Sequence, residues 1–576
     1  MRPLARLALL LMALGPVGAT VAHAQLTVLN GNVPAGFAMT GFIQAATLKP
    51  GGAANAGGTL TVNNITMIVP DNTVIQMPAH TLTWAQLFDT KQSAPVFDSA
   101  LPPPPVPPIT HPPTNSIGQP ITGLALSDAP TTGAGAGALL GPGFPSVEVT
   151  VLGNIDAKGT GGNPPGSYVV ALILPISQEI ANGGAGFITA IDYAKGRLEV
   201  NGTLNKLGTG TVIEINDPVG RYGFAHSPDP RFSADTDNPT VTSANGYPMG
   251  VPKAAPPAID PDRPLFNRPL NPAAGDPQHD PFLQVGAPLM SFTMPAKSAP
   301  NQANDNTPDP WRQAPFMVGD FVTYSGTLLK FDPNAPVTPF NPGAPASATN
   351  RPMSQQFYVS ANTVQAAGLE IVTAPGNVAQ AGPAYMMLFK TVAGAGGASL
   401  TVPANPALGT QGGTIPIAEP RQNIVIRGFV TDPTQLVDIF AVDVNPANGQ
   451  ETPRLLGTVL PQPGFPIKGN RGRFIFDVGR GNFLPVTREY RVQTRHGQNQ
   501  LGPQKGLNNG TLDGLQTGQY QAPNFTFQIA DAPVGFPVSP SNFNDFPFLA
   551  KGEGTRNLSG ANVTIGPLTP FPPSTP

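Results

Sequence analysis

The chain has 576 residues, of which only 11% are charged, with a formal net charge of −3; an average globular protein carries about 25%. That balance gives no electrostatic basis for nucleic-acid binding, which needs a basic face. Cysteine is absent, excluding disulfide staples, a thiolate nucleophile and Cys-ligated metal, while 40% hydrophobic residues suffice for cores and 72 Pro with 65 Gly imply long irregular connections.

Residues 1–24 carry Arg2 and Arg6, an apolar run over 7–14, and Ala22-His23-Ala24, the small-x-small form that signal peptidase cuts. The run is well short of the roughly 20 apolar residues a bilayer requires. A cleaved signal peptide is therefore expected, with a mature chain from Gln25 that is secreted or periplasmic. No later segment is long and apolar enough to span, so no transmembrane segment is expected.

The chain then writes one pattern twice. Gly41-Phe42-Ile43-Gln44-Ala45, Leu60-Thr61-Val62-Asn63 and Thr73-Val74-Ile75 recur as Gly186-Phe187-Ile188-Thr189-Ala190, Leu198-Glu199-Val200-Asn201 and Thr211-Val212-Ile213. Val149-Thr150-Val151-Leu152-Gly153 and Tyr168-Val169-Val170-Ala171 return as Val322-Thr323-Tyr324-Ser325-Gly326 and Tyr358-Val359-Ser360-Ala361. These runs alternate apolar and polar side chains, the period of a half-buried strand, so an all-β fold with two copies of one small barrel follows. Helical periodicity is confined to short stretches such as 81–87. Five strands with a long excursion between the third and fourth resemble the OB-fold, and the tandem arrangement is similar to OB-like modules of exported bacterial proteins; a pair of β-sandwiches is the alternative for the same strands. The expected units are a first OB-like barrel over 25–182 and a second over 183–375. The first excursion contains a Pro-rich run over 101–108 that must be extended polyproline II. The second, 217–315, is rich in Asp and Pro.

An extra strand and linker are expected over 376–420. From 421 to 500, Asn423-Ile-Val-Ile-Arg-Gly-Phe-Val-Thr-Asp and four further short strands lie at sandwich spacing. A Gly-x-x-x-Asp strand opens this segment and a Tyr-x-Val strand closes it, an order that resembles immunoglobulin-like modules of bacterial surface proteins. Residues 501–576 form a Gly, Pro and Asn-rich tail.

No Gly-x-Ser-x-Gly, His-Glu-x-x-His, phosphate loop or dinucleotide fingerprint is present, and no catalytic residue is assigned. Three candidate surfaces remain. In the second excursion His226, Asp235, Asp237, His279 and Asp280 collect; such oxygen-rich loops can hold calcium, or a transition metal through the histidines, and equally Asp-Pro pairs cap turns. Trp311, flanked by Arg312, and Tyr222 are the aromatic candidates for stacking a sugar. Between Arg421 and Lys505, eleven Lys and Arg face six Asp and Glu, a cationic stretch able to dock on anionic polysaccharide or other cell-surface components. Three functions are compatible with these residues: an exported structural, adhesive or cell-surface protein without cofactor, a carbohydrate-binding protein using the second barrel, and a metal-dependent enzyme centred on the Asp/His-rich insertion.

Overall fold

The computed structural model describes residues 35–51, 56–71, 73–79, 81–89, 114, 118–128, 147–156, 163–175, 182–234, 239–256, 258–268, 291–297, 302, 305–332, 337–374, 383–402, 413–444, 451–462, 472–477, 489–494, 511–512, 515–516, 519–523, 554–558 and 561–565. The expected signal peptide 1–24, the Pro-rich run and most of the tail lie outside these residues. The described chain is β almost throughout, its helical content limited to single 3-10 turns.

The first unit comprises β1 (Ala35–Leu48), β2 (Gly58–Val62), β3 (Ile65–Val69), β4 (Val74–Gln76), β5 (Thr81–Thr83), β6 (Glu148–Asp156) and β7 (Ser167–Pro175). Five of these close into a barrel in the order β1-β2-β3-β7-β6 and back to β1. β3 meets β7 in parallel at Ile68 and Val169, and every other neighbouring pair around the barrel is antiparallel. The long β1 makes closure possible: Ala35 to Phe42 pairs with β6, and Ile43 to Leu48 pairs with β2.

The second unit repeats this wiring with β8 (Asn182–Asp192), β9 (Arg197–Val200), β10 (Thr211–Ile215), β11 (Val241–Ser243), β12 (Met249–Gly250), β13 (Ser291–Met294), β14 (Ala314–Pro315), β15 (Phe321–Lys330), β16 (Phe357–Ala366) and β17 (Glu370–Thr373). Its barrel runs β8-β9-β10-β16-β15 and back to β8, closed by the parallel pair β10–β16. Both units are therefore closed five-stranded barrels rather than open sandwiches. In each, the excursion adds one short parallel strand to the outside of the fifth barrel strand, β4 on β7 and β11 on β16. β12 pairs with β14 and β13 with β17, fastening the second excursion to itself and to the end of its barrel.

The repeated residues have a physical reason to recur. Asn63 and Asn201 each follow the second strand in left-handed backbone, with φ of 50° and 59°. Each turns its side-chain amide back onto the first strand, to Thr40 O at 3.0 Å and to Ala185 O at 3.1 Å. The next residue on that strand is Gly41 or Gly186, where a Cβ would fall on the Asn side chain. The Gly-Phe-Ile and Val-Asn motifs are thus two halves of one lock. The closing glycines Gly153 and Gly326 likewise mark the bulge in the fourth strand of each barrel, against a carbonyl of the fifth.

One part of the expected repeat is corrected. Thr73-Val74-Ile75 is not the counterpart of Thr211-Val212-Ile213: the former lies at and just before β4, whereas the third barrel strand of the first unit is β3. The reason is the turn. Asn63 and Asn64, both at positive φ, make a two-residue hairpin of the kind that joins antiparallel strands directly, so β3 follows β2 at once, while ten residues separate β9 from β10. The stretch 81–87 is not helical overall but splits into β5 and the 3-10 turn Ala85–Phe88.

The third unit contains β18 (Met386–Val402), β19 (Gly413–Val430), β20 (Val437–Val444), β21 (Glu451–Val459), β22 (Arg473–Asp477) and β23 (Glu489–Thr494), followed by the hairpin β24 (Thr511–Leu512) and β25 (Leu515–Gln516) and by β26 (Gln519–Pro523). Two sheets, β18-β19-β22 and β21-β20-β23-β26, place Ile426, Val430, Phe474 and Phe476 in one core with Val437, Ile439, Tyr490 and Val492. The extra strand expected within 376–420 is β18, an edge of this assembly, and position 421 falls inside β19. A last hairpin joins β27 (Gly554–Leu558) to β28 (Ala561–Ile565). The cores are not separate: Ala171 and Leu172 of β7 join the third unit's cluster, and Val212, Phe232, Leu329 and Tyr358 of the second unit join that of the first barrel.

Candidate functional site

The excursion of the second barrel, where the sequence is least like the first, is built around buried arginines. Asp229 caps the 3-10 turn Pro230–Phe232 by accepting from Arg231 N at 2.9 Å. The Arg231 side chain, 1% exposed, returns to the Asp229 carboxylate through Nε at 3.0 Å and Nη2 at 2.6 Å. Its Nη1 crosses to the first unit, donating to Leu87 O at 2.8 Å and Thr122 O at 2.7 Å. Arg263, equally buried, pairs with Asp260 at 3.1 Å and donates to Gln313 Oε1 and Arg221 O. Arg268 grips Asp320 through both terminal nitrogens, at 2.9 and 2.7 Å. Buried cations persist only when paired, and each of these three answers a carboxylate and at least one neutral oxygen acceptor. The described carboxylates of the excursion therefore cap turns and answer arginines.

At the start of the same excursion five side chains form a closed ring. Glu214 interrupts the apolar strand β10 and is 4% exposed. Arg197 Nε pairs with its Oε1, and His226 Nε2 stands 2.9 Å from its Oε2, close enough for charge pairing though not aligned as a straight hydrogen bond. The His226 ring meets Tyr358 edge-on at 5.6 Å, Tyr358 stacks on Phe331 at 5.0 Å, and the Arg197 guanidinium lies 4.6 Å over Phe331. Burial alone would push the Glu214 carboxyl up, but His226 and Arg197 hold it below its usual value. Burial and the Glu214 charge raise the Tyr358 phenol. Next to it Asp217, buried, accepts from the backbone of Val219, Gly220 and Tyr222, and burial carries its carboxyl above the usual range despite Arg221 and those donors. Lys195, Gly196, Phe224, Tyr222 and Val251 complete the walls of a small cleft over Glu214 and His226, about 250 Å³ with its open mouth included.

Of the metal candidates, only His226 lies among the described residues, and it faces Glu214 beside a guanidinium rather than a set of ligands. Asp235, Asp237, His279 and Asp280 lie outside them. Among the described residues no group of three His, Asp or Glu side chains is gathered as a metal would require. Tyr222 is fully buried, so its ring is core rather than a stacking platform. Trp311 is half-buried, its indole N–H donating to Lys297 O at 3.0 Å and its backbone N–H capped by Asp309. Arg312 reaches Asp309 at 3.7 Å and Asp262 at 3.8 Å. Trp311 and Arg312 thus share a corner of the excursion, and His226 belongs to the Glu214 ring. Sequence reasoning missed Glu214, Arg197 and Arg231; the available signal was a Glu inside the otherwise apolar run Val212-Ile-Glu-Ile.

No helix among the described residues is long and apolar enough to cross a membrane. Comparison with protein-family models, with curated proteins and with solved structures yields no match.

Proposed function

We propose that the chain is an exported structural or adhesive protein, in which two OB-like barrels and an immunoglobulin-like sandwich are fastened into one body and presented at or beyond the cell surface. The observation that carries this reading is Arg231. It sits in the segment that distinguishes the second barrel from the first, and it uses its charge to hold the carbonyls of another module rather than to face a cleft. Tyr385 does the same for the third unit, donating to Pro310 O at 2.7 Å, and Thr373 and Thr431 join the units again at 3.0 Å. Loops on rigid scaffolds usually carry binding or catalysis; here the described parts of the longest loop are mortar. Export rests on the leader-like residues 1–24.

The test is to express the full chain with its leader in a bacterial host, sequence the N-terminus of the mature protein and label intact cells with a membrane-impermeant reagent. Release of a chain beginning at Gln25, or its labelling on intact cells, supports the reading. A cytosolic chain that keeps its first 24 residues would sink it.

A further inference from the structure

On the side away from the sandwich core, the β18-β19-β22 sheet combines the exposed ring of Phe389 and the partly buried ring of Phe429 with cations. The sandwich core takes Met386, Leu388, Ile426, Val430, Phe474 and Phe476, so strand alternation turns Arg427, Phe429, Arg473 and Ile475 to the opposite side. Phe389, bulged between Leu388 and Lys390, is 44% exposed, and Ile475 is 40% exposed. The Phe389 and Phe429 rings lie 5.4 Å apart, tilted at 39°, and the Arg473 guanidinium stands over Phe389 at 5.8 Å. The register sets Lys390 directly opposite Arg427, and Arg473 opposite Phe429.

Two cations facing each other across a strand pair cost stability, and neither Lys390 nor Arg427 forms an ion pair among the described residues. Of the side chains described on these three strands, Asp477 alone is acidic. Among the described side chains this face carries three positive charges, one negative charge and two adjacent rings, a set complementary to a polymer that has both flat apolar surfaces and anionic groups. Guanidinium groups pair carboxylates and sulfates in a planar fork, and exposed aromatic faces take stacked rings without demanding one sequence.

We propose that this face binds an anionic polysaccharide: Phe389 and Phe429 stack on sugar rings, while Lys390, Arg427 and Arg473 hold the carboxylate or sulfate groups. The proposal supplies a partner for the adhesive reading above and rests on it for its setting outside the cytoplasm. It moves the binding surface away from the second barrel and Trp311.

The experiment is affinity electrophoresis of the full mature chain through gels carrying polygalacturonate, dextran sulfate or neutral dextran at low salt. Retardation by at least one polyanion and not by neutral dextran is expected, and the stronger polyanion identifies carboxylate or sulfate as the recognised group. Arg427→Gln and Phe389→Ala should each weaken retention about tenfold, which corresponds to 1.4 kcal/mol, with melting temperatures within a few degrees of the parent; Phe389→Leu, closer in volume, serves if Phe389→Ala melts early. Equal retention of the Phe389 variants would reduce the effect to ion exchange and overturn the proposal. Failure of both polyanions to retard the parent chain, or equal retardation by neutral dextran, would overturn it as well. A cytosolic location would sink the exported reading while leaving binding by the purified protein intact, so the two failures are distinguishable.

Discussion

Replacing Arg231 by Met keeps most of the side-chain volume and removes the guanidinium that joins the first two units. The Asp229 carboxylate, whose side chain is 5% exposed, then loses the cation paired with it in a site almost closed to water. Breaking a buried pair by removing one partner costs about 3–5 kcal/mol. The carbonyls of Leu87 and Thr122 lose donors at 2.8 and 2.7 Å, each worth about 1–3 kcal/mol if left unsatisfied. These costs overlap where the chain relaxes or admits water, so a loss of at least about 4 kcal/mol is expected. Adding Asp229→Asn removes the stranded charge and should restore about half of it, the non-additivity that a double-mutant cycle reads. The two tryptophans provide the assay: Trp84 lies in the first barrel's core and Trp311 in the second excursion. Urea unfolding followed in Trp84→Phe and Trp311→Phe backgrounds reports each barrel separately. A cross-module weld requires Arg231→Met to shift the transition seen by Trp84, although the substitution lies 144 residues from Leu87 in sequence. An unmoved Trp84 transition, or a total loss below about 1 kcal/mol, would refute the reasoning.

Three further outcomes are expected. Asn201→Gly should cost about 1 kcal/mol, the value of the hydrogen bonds it removes, whereas Asn201→Ala adds left-handed strain of about 1–2 kcal/mol; chemical denaturation that finds the two equal would mean the lock does not depend on φ. Glu214, held below its ordinary value, contributes stability that is full above the unfolded carboxyl's titration near 4.5 and is lost as pH falls through the lower folded value. Melting scans from pH 7 to pH 3 should therefore show a smaller acid-side loss for Glu214→Gln than for the parent, and parallel curves would refute the pairing with Arg197 and His226. Gly428→Ala should destabilise the sandwich by about 1–3 kcal/mol, because its Cβ would meet Met387 O at 2.5 Å and the Phe474 ring at 2.6 Å; thermal unfolding of the third unit reads it.

The all-β barrel scaffold is largely legible in the sequence, and the candidate site is not. The Asn63 and Asn201 locks and the Gly153 and Gly326 bulges are written as short motifs, because each is made between strands that follow one another in the chain and tolerates few substitutes. The third strand of the first barrel is ambiguous in sequence for a complementary reason: Ile65–Val69 and Val74–Gln76 carry the same alternation, and a periodic pattern says that a strand exists without saying which partner it takes. The Asp-rich excursion suggests a cation site because carboxylates collect there; in the structure Asp229 and Asp260 answer arginines at 2.6 and 3.1 Å, and Asp309 and Asp262 lie 3.7 and 3.8 Å from Arg312.

What the sequence determined by itself is what local sterics and alternation set: the all-β class and the duplication of the barrel strands. What only the tertiary structure decided is how distant polar groups find one another. Arg197, Glu214, His226 and Tyr358 come from three strands and a loop, and Arg231 bonds carbonyls 109 and 144 residues away. Backbone carbonyls carry no sequence signature, so no motif could announce that contact; closing two barrels against each other is what brings those carbonyls to a buried guanidinium and excludes the water that would otherwise satisfy both.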